Sequence, residues 1–216
     1  MHSETVGQVT TILITGFGRF PGAPFNPSGP LARAVARRRR PAFAEARRIL
    51  HIFQTSYAAV DRDLPKLLKE HKPDIVLMFG LAGRTAHLRV ETRARNARSI
   101  LFPDVTGFRP NDRAIVRGEP ARTGRAPFAR LVAASKATRM RSGPSRDAGR
   151  YLCSYVYWRA LEASRSGTPL AQFIHIPWVP IVRRVPGRKP RMSHGRLARA
   201  GEAILLALLA AQRGLP

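Results

Sequence analysis

Cys153 is the one cysteine among 216 residues. It falls at the start of Tyr151 to Ser164, a stretch of helical composition that follows the small residues Ala148 and Gly149. Backbone N–H groups and the positive end of a helix favour a thiolate at such a place, and the same N–H groups can cradle a developing oxyanion. The competing reading is a buried cysteine acting as a small apolar side chain. A thiol nucleophile needs a base, and His175 is the best placed of six histidines. It ends the apolar run Ala171 to Ile176 just before Pro177, whereas His2 and His194 stand in polar or weakly constrained surroundings. Taken alone, His175 reads equally well as a core histidine with its hydrogen bonds satisfied. No H-E-x-x-H or comparable ligand spacing occurs, so neither a metal nor another cofactor is expected.

The elements that must position these groups follow from hydrophobic periodicity. Val9 to Thr15 and Asp74 to Phe79 are short, nearly continuous apolar runs ending at Gly16 and Gly80. Such runs suit strands buried on both faces of a parallel sheet. Arg47 to Gln54 reads as a further strand, Leu31 to Arg40 as a helix stopped by Pro41, and Tyr57 to His71 as a helix with Val60, Leu64, Leu67 and Leu68 on one face. Leu88 to Asn96 is expected to be partly extended, and Phe128 to Ala137 helical. The Gly143-Pro144 pair confines any strand between Arg141 and Gly149 to a short or edge position. Arg196 to Arg213 is an Ala- and Leu-rich terminal helix. Phe102 to Pro127 has no readable pattern, and a loop of that length in a compact domain is often functional. The alternation of strands and helices predicts one α/β domain spanning 1–216, a three-layer α/β/α sandwich with a largely parallel, mixed central sheet. Sites in such sheets gather at the carboxyl ends of strands, which directs attention to the loops after Thr15 and Phe79.

Composition narrows the function classes. The longest apolar stretch, Ala203 to Ala211, is far shorter than the ~20 residues a membrane span needs, so no membrane association is expected. Met1 to Glu4 lacks the basic and apolar pattern of a leader, and a cytoplasmic setting is the expectation. The net charge of +25 raises the alternative of a basic nucleic-acid-binding protein. Apart from Arg37 to Arg40, however, the basic residues are scattered, and 33 of the 38 are arginine. No nucleic-acid motif or aromatic stacking platform accompanies them, so specific nucleic-acid binding is disfavoured.

Four segments together carry a more specific signal. D-A-G-R-Y-L-C-S-Y-V-Y-W, Asp147 to Trp158, resembles the nucleophile segment of the pyroglutamyl peptidase I family, cysteine peptidases also called pyrrolidone-carboxylate peptidases. F-I-H-I-P, Phe173 to Pro177, is similar to that family's histidine strand. G-L-A-G-R, Gly80 to Arg84, followed by E-T-R-A-R-N, Glu91 to Asn96, resembles its glutamate segment. T-G-F-G-R-F-P-G, Thr15 to Gly22, followed by N-P-S, Asn26 to Ser28, resembles its N-terminal signature. The order and spacing also match, across most of Ile12 to Pro177.

The resemblance implies a catalytic triad of Cys153, His175 and Glu91 that removes N-terminal pyroglutamate from peptides through a thioester. It also implies a substrate pocket drawn from Phe17, Phe20, Asn26, Leu81, Arg84 and Leu152, with self-association into a homo-oligomer an option. On residue type alone, Glu91 could instead be a surface carboxylate paired with a nearby arginine, and either phenylalanine could pack the core. The chain departs from the family's usual residues at Leu81, where Gln is common, at Ser154 and Val105, where Asn is common, and at Gly18 and Arg19 in the first loop. These departures leave open a divergent homologue that acts on another small acyl amide or has lost turnover.

Overall fold

The computed structural model describes residues 9–20, 22–166, 169–179 and 192–214. Met1 to Glu4, read above for a leader, and Pro21 of the N-terminal signature lie outside them. The elements in chain order are β1 (Thr10–Phe17), α1 (Ser28–Ala36), β2 (Ala46–Phe53), α2 (Tyr57–His71), β3 (Ile75–Leu81), β4 (Leu88–Glu91), β5 (Arg93–Ala94), β6 (Arg122–Thr123), α3 (Phe128–Ala137), β7 (Ser142–Ser145), α4 (Leu152–Ala163), β8 (Leu170–Ile176) and α5 (His194–Arg213).

Six strands form the main sheet in the order β2-β1-β3-β8-β4-β7. Every join is parallel except β8 with β4, which run antiparallel. Alternate residues of the central strands enter opposite cores, as the strand period of two requires. Ile12, Ile14, Ile75, Leu77, Ile174 and Ile176 pack with α1, α3 and α5, through Leu31, Leu131 and Leu205 among others. Leu13, Val76, Met78, Ala171 and Phe173 pack with α2 and α4, through Val60, Leu64, Tyr155 and Trp158. The sheet is therefore covered on both faces, and the long apolar runs of β1 and β3 follow directly.

Local chemistry sets the element ends. The Ser56 side chain accepts from Ala59 N–H at 3.1 Å and starts α2, while Lys72, in the left-handed region at φ 42°, ends it. α1 begins at Ser28 and ends at Ala36, three residues earlier and four sooner than the expected Leu31 to Arg40. Pro30 is tolerated in a first helical turn, where its missing N–H has no partner to lose. The Arg37 to Arg40 run lies beyond the helix, and Arg38 and Arg40 close on the buried carboxylate of Glu202 from α5 at 3.4 and 2.5 Å. Two of the four arginines of the one dense basic cluster are thus paired with an acidic side chain. β7 sits at the sheet edge, where Pro144 costs no ladder hydrogen bond. No helix among the described residues is long and apolar enough to cross a membrane.

Candidate active site

β3, β8 and β4 lie side by side, and their register aligns Gly80, His175 and Arg89 in one row across the sheet. Glu91 is two residues beyond Arg89 on the same strand, so both side chains share a face. That face is the one α4 covers, and Cys153 stands in the first turn of α4. The turn into α4 is made by Gly149, whose φ of 83° suits glycine, and by Asp147, whose carboxylate accepts the Gly149 N–H at 2.9 Å. The first N–H groups of a helix have no intrahelical partner, so the start of α4 offers free donors beside the sulfur.

Gly80 is the floor of the site. A methyl group there would stand 2.8 Å from Cys153 Sγ and 2.5 Å from the Phe173 ring, too close for either. The sulfur therefore rests over the backbone of β3, next to the strand that carries His175. The Phe173 ring also packs edge-on to His175, with centroids 4.9 Å apart.

His175 Nδ1 and Glu91 Oε1 are 2.8 Å apart, and both residues are buried. A carboxylate at Nδ1 leaves Nε2 to exchange a proton with a reacting group. The Glu91 backbone is held in turn: the Tyr157 hydroxyl and the Gln172 amide both donate to its carbonyl, at 3.0 and 2.9 Å. Arg89 forms an ion pair with the same Glu91 Oε1 at 2.9 Å. Glu91 Oε2 is buried with no hydrogen-bond partner among the described residues.

Cys153 and His175 both line a cavity of about 610 Å3, together with Phe20, Leu81, Arg84, Arg89, Phe102 and Tyr151. Of the pocket residues expected from sequence, Phe20, Leu81 and Arg84 border this space. Phe17, Asn26 and Leu152 do not. Phe17 packs on Phe53 in the core, with ring centroids 5.9 Å apart, because its place in β1 turns it toward α2. Asn26 braces the first loop, donating to the Gly18 carbonyl at 3.0 Å and accepting from Ser28 N–H at 3.1 Å. Leu152 points from the first turn of α4 into the apolar layer. Ser154 turns away from the cavity as well, accepting from Arg95 N–H at 3.0 Å, so this departure from the family pattern lies in the scaffold. Leu81 is the departure that faces the cavity.

The surroundings of Cys153 act against the thiolate-favouring effect of its helix position. Burial, with the negative charge of Glu91 added, pushes the thiol up to about 12. Its own backbone N–H and the Arg89 charge act in the opposite sense but do not prevail. Cys153 is half-buried against the α2 and α4 layer at the edge of the cavity, and the desolvation it meets there opposes the effect of the helix start.

Sequence reasoning passed over Arg89 and Gly80. The spacing of Arg89 and Glu91 puts them on one face of a strand, but only the register of β4 against β8 places that face beside His175.

A buried histidine held by a carboxylate, facing a cavity shared with a helix-start cysteine in an α/β sandwich, is the construction of a cysteine peptidase. The pyroglutamyl peptidase family profile matches residues 10–212. The chain is 34% identical over 203 residues to the pyrrolidone-carboxylate peptidase of Clavibacter michiganensis subsp. michiganensis, covering 93% of each. It is 32% identical to that of Gloeobacter violaceus, covering 94% of this chain and 99% of the relative. A mutant pyrrolidone carboxyl peptidase from Pyrococcus furiosus superposes with a TM-score of 0.82 at 28% identity, over 94% of this chain and 99% of that one. Bacillus amyloliquefaciens pyroglutamyl peptidase I superposes with a TM-score of 0.79 at 26% identity. The chain belongs to the pyroglutamyl peptidase family.

Proposed function

We propose that this protein removes N-terminal pyroglutamate from peptides, with Cys153 as nucleophile, His175 as acid and base, and Glu91 as the group that orients His175. The observation that carries the reading is the 2.8 Å contact of His175 Nδ1 with Glu91 Oε1 beside the cavity that Cys153 enters.

Desolvation favours the thiol over the thiolate, and His175 takes its proton as sulfur attacks the carbonyl joining pyroglutamate to the next residue. The carbonyl oxygen becomes an oxyanion within reach of the free N–H groups at the start of α4. Collapse of this intermediate breaks the C–N bond, and the imidazolium of His175 donates its proton to the departing amine. A water molecule, deprotonated by His175, then attacks the thioester; free pyroglutamate leaves and the Cys153 thiol is restored. Glu91 supports each imidazolium stage with an opposite charge.

The substrate's first residue is a neutral lactam with no free amine. The apolar surface of Phe20, Leu81 and Tyr151 suits its methylenes. Hydrogen bonds to the lactam N–H and C=O would reject proline, which lacks the ring carbonyl and would leave buried polar groups unpaired. A working thiol also fits a reducing compartment, in keeping with a cytoplasmic setting. The test is hydrolysis of a pyroglutamyl chromogenic amide beside its prolyl counterpart. The wild type cleaves the first and spares the second, and Cys153→Ala loses at least ~1000-fold in kcat while keeping its fold. Full turnover by Cys153→Ala would overturn the assignment.

A further inference from the structure

We propose that Arg89 is a positioning residue of the catalytic centre, a permanent cation that shares the Glu91 carboxylate with His175 and sets the pH range over which Cys153 and His175 work. The inference rests on the cysteine-peptidase reading of the site.

The geometry is unusual for an arginine that merely covers a surface. Its side chain is only 20% exposed and the carboxylate it meets is fully buried. Its Nε and Nη2 donate to Ser145 Oγ at 3.1 and 2.7 Å, and Nη2 also donates to the Asp147 carbonyl. The guanidinium is thus fixed from three sides: by its own strand, by the end of β7, and by the turn that delivers Cys153. Glu91 Oε1 serves both Arg89 and His175, so the histidine does not hold its carboxylate alone.

The other charged or titratable groups around this centre are Cys153, Tyr157, Asp147, Arg84 and Tyr151, the last lining the cavity with its hydroxyl donated to the Pro103 carbonyl at 2.8 Å. From α4, Cys153 faces the cavity, and Tyr157 donates its hydroxyl to the Glu91 carbonyl. Asp147, in the turn before α4, directs its carboxylate to Arg95 at 2.9 Å. Arg84, in the loop after β3, is exposed at the cavity mouth. Arg89 is therefore the cation lodged between the base's carboxylate and the nucleophile's turn. A fixed positive charge there favours the thiolate and opposes the imidazolium, and its effect on the Cys153 thiol has that direction. Both effects move the working range to lower pH.

The experiment compares wild type, Arg89→Met and Arg89→Lys, reading kcat/KM for a pyroglutamyl amide against pH. The shape of the profile does not depend on how much enzyme is folded. Arg89→Met should shift the acid limb upward by about one pH unit, while the limb set by the thiol, already near pH 12, moves further from the accessible range. Arg89→Lys keeps the charge, and its limbs stay near those of the wild type even if kcat falls through loss of the Ser145 and Asp147 anchors. A second arm needs no substrate: the pH dependence of Cys153 alkylation by iodoacetamide should move upward in Arg89→Met and stay in place in Arg89→Lys. An acid limb that does not move in Arg89→Met, that moves downward, or that moves equally in both variants overturns the proposal. Should the pyroglutamyl amide prove to be no substrate even for the wild type, the alkylation arm still decides the role of Arg89.

Discussion

Gly80 and Cys153 divide a single space: the sulfur occupies volume that any side chain on Gly80 would enter, and a methyl carbon there would stand 2.8 Å away. Because Gly80 is also the register partner of His175, the residue that makes room for the Cys153 sulfur is fixed beside that histidine.

Gly80→Ala should therefore damage activity far more than its single added carbon suggests. Cys153 and Phe173 must both move, and displacement of a reacting atom by about 1 Å can cost ~100-fold in rate. Overpacking of this kind also destabilises by about 1–3 kcal/mol. Urea unfolding and kcat measured on the same preparation check both parts. Wild-type kcat in a well-folded Gly80→Ala protein would show that the sulfur does not rest over this backbone during catalysis.

Glu91→Gln should move the pH profile in the direction opposite to that expected for Arg89→Met. Loss of the negative charge disfavours the imidazolium, so the acid limb of kcat/KM shifts to lower pH while kcat falls by roughly 100-fold or more. A purely structural glutamate would lower the rate without moving the limb. The comparison needs only a pyroglutamyl amide and a series of buffers.

Stability should decline on the alkaline side. The Cys153 thiol rises from an ordinary value of 9.0 to about 12, and the buried Tyr57 phenol from 10.0 to about 12, each chiefly through burial. In the unfolded chain these groups lose their protons first, so it binds fewer protons than the folded protein at high pH. Their contribution is present in full below about pH 9 and is lost as pH rises toward 12. Urea midpoints should fall steadily over that window, and the midpoint of Cys153→Ala should fall less steeply than that of the wild type. Parallel declines would mean that the thiol is not desolvated.

The parts of this fold legible in sequence were those with a period. Tyr57 to His71 is a helix over the whole expected range because Ser56 caps it and its apolar residues recur on one face. Strands β1 and β3 were equally plain, since burial on both faces leaves nearly continuous apolar runs. Phe102 to Pro127 resisted because side chains organise it. Asp104 accepts from the N–H groups of Tyr57, Thr106 and Phe108. Asn96 likewise accepts from Ile115 and Val116 and donates to the Val116 and Glu119 carbonyls. Such knots join residues far apart in sequence and leave no periodic trace; apart from the two-residue β6, the segment forms no regular element. At the candidate site, the segments that carry Cys153, His175 and Glu91 stood out as motifs, and the fold brings them to one cavity and one strand row. Arg89 did not stand out, since its meaning depends on the pairing of antiparallel strands joined across a long stretch of chain.

The strand order has a further consequence for synthesis. β3 and β4 are neighbours in sequence, yet in the sheet β8 stands between them, and it is made after α4. A nascent chain that has left the ribosome only as far as α4 possesses its thiol, its glutamate and its arginine, but the slot between the two strands is still empty and no imidazole faces the sulfur. Insertion of β8 at the middle of the sheet brings His175 to Glu91 and to the cavity of Cys153, so the three groups share one site only after α4 and β8 have both been made, with α5 still to cover the opposite face.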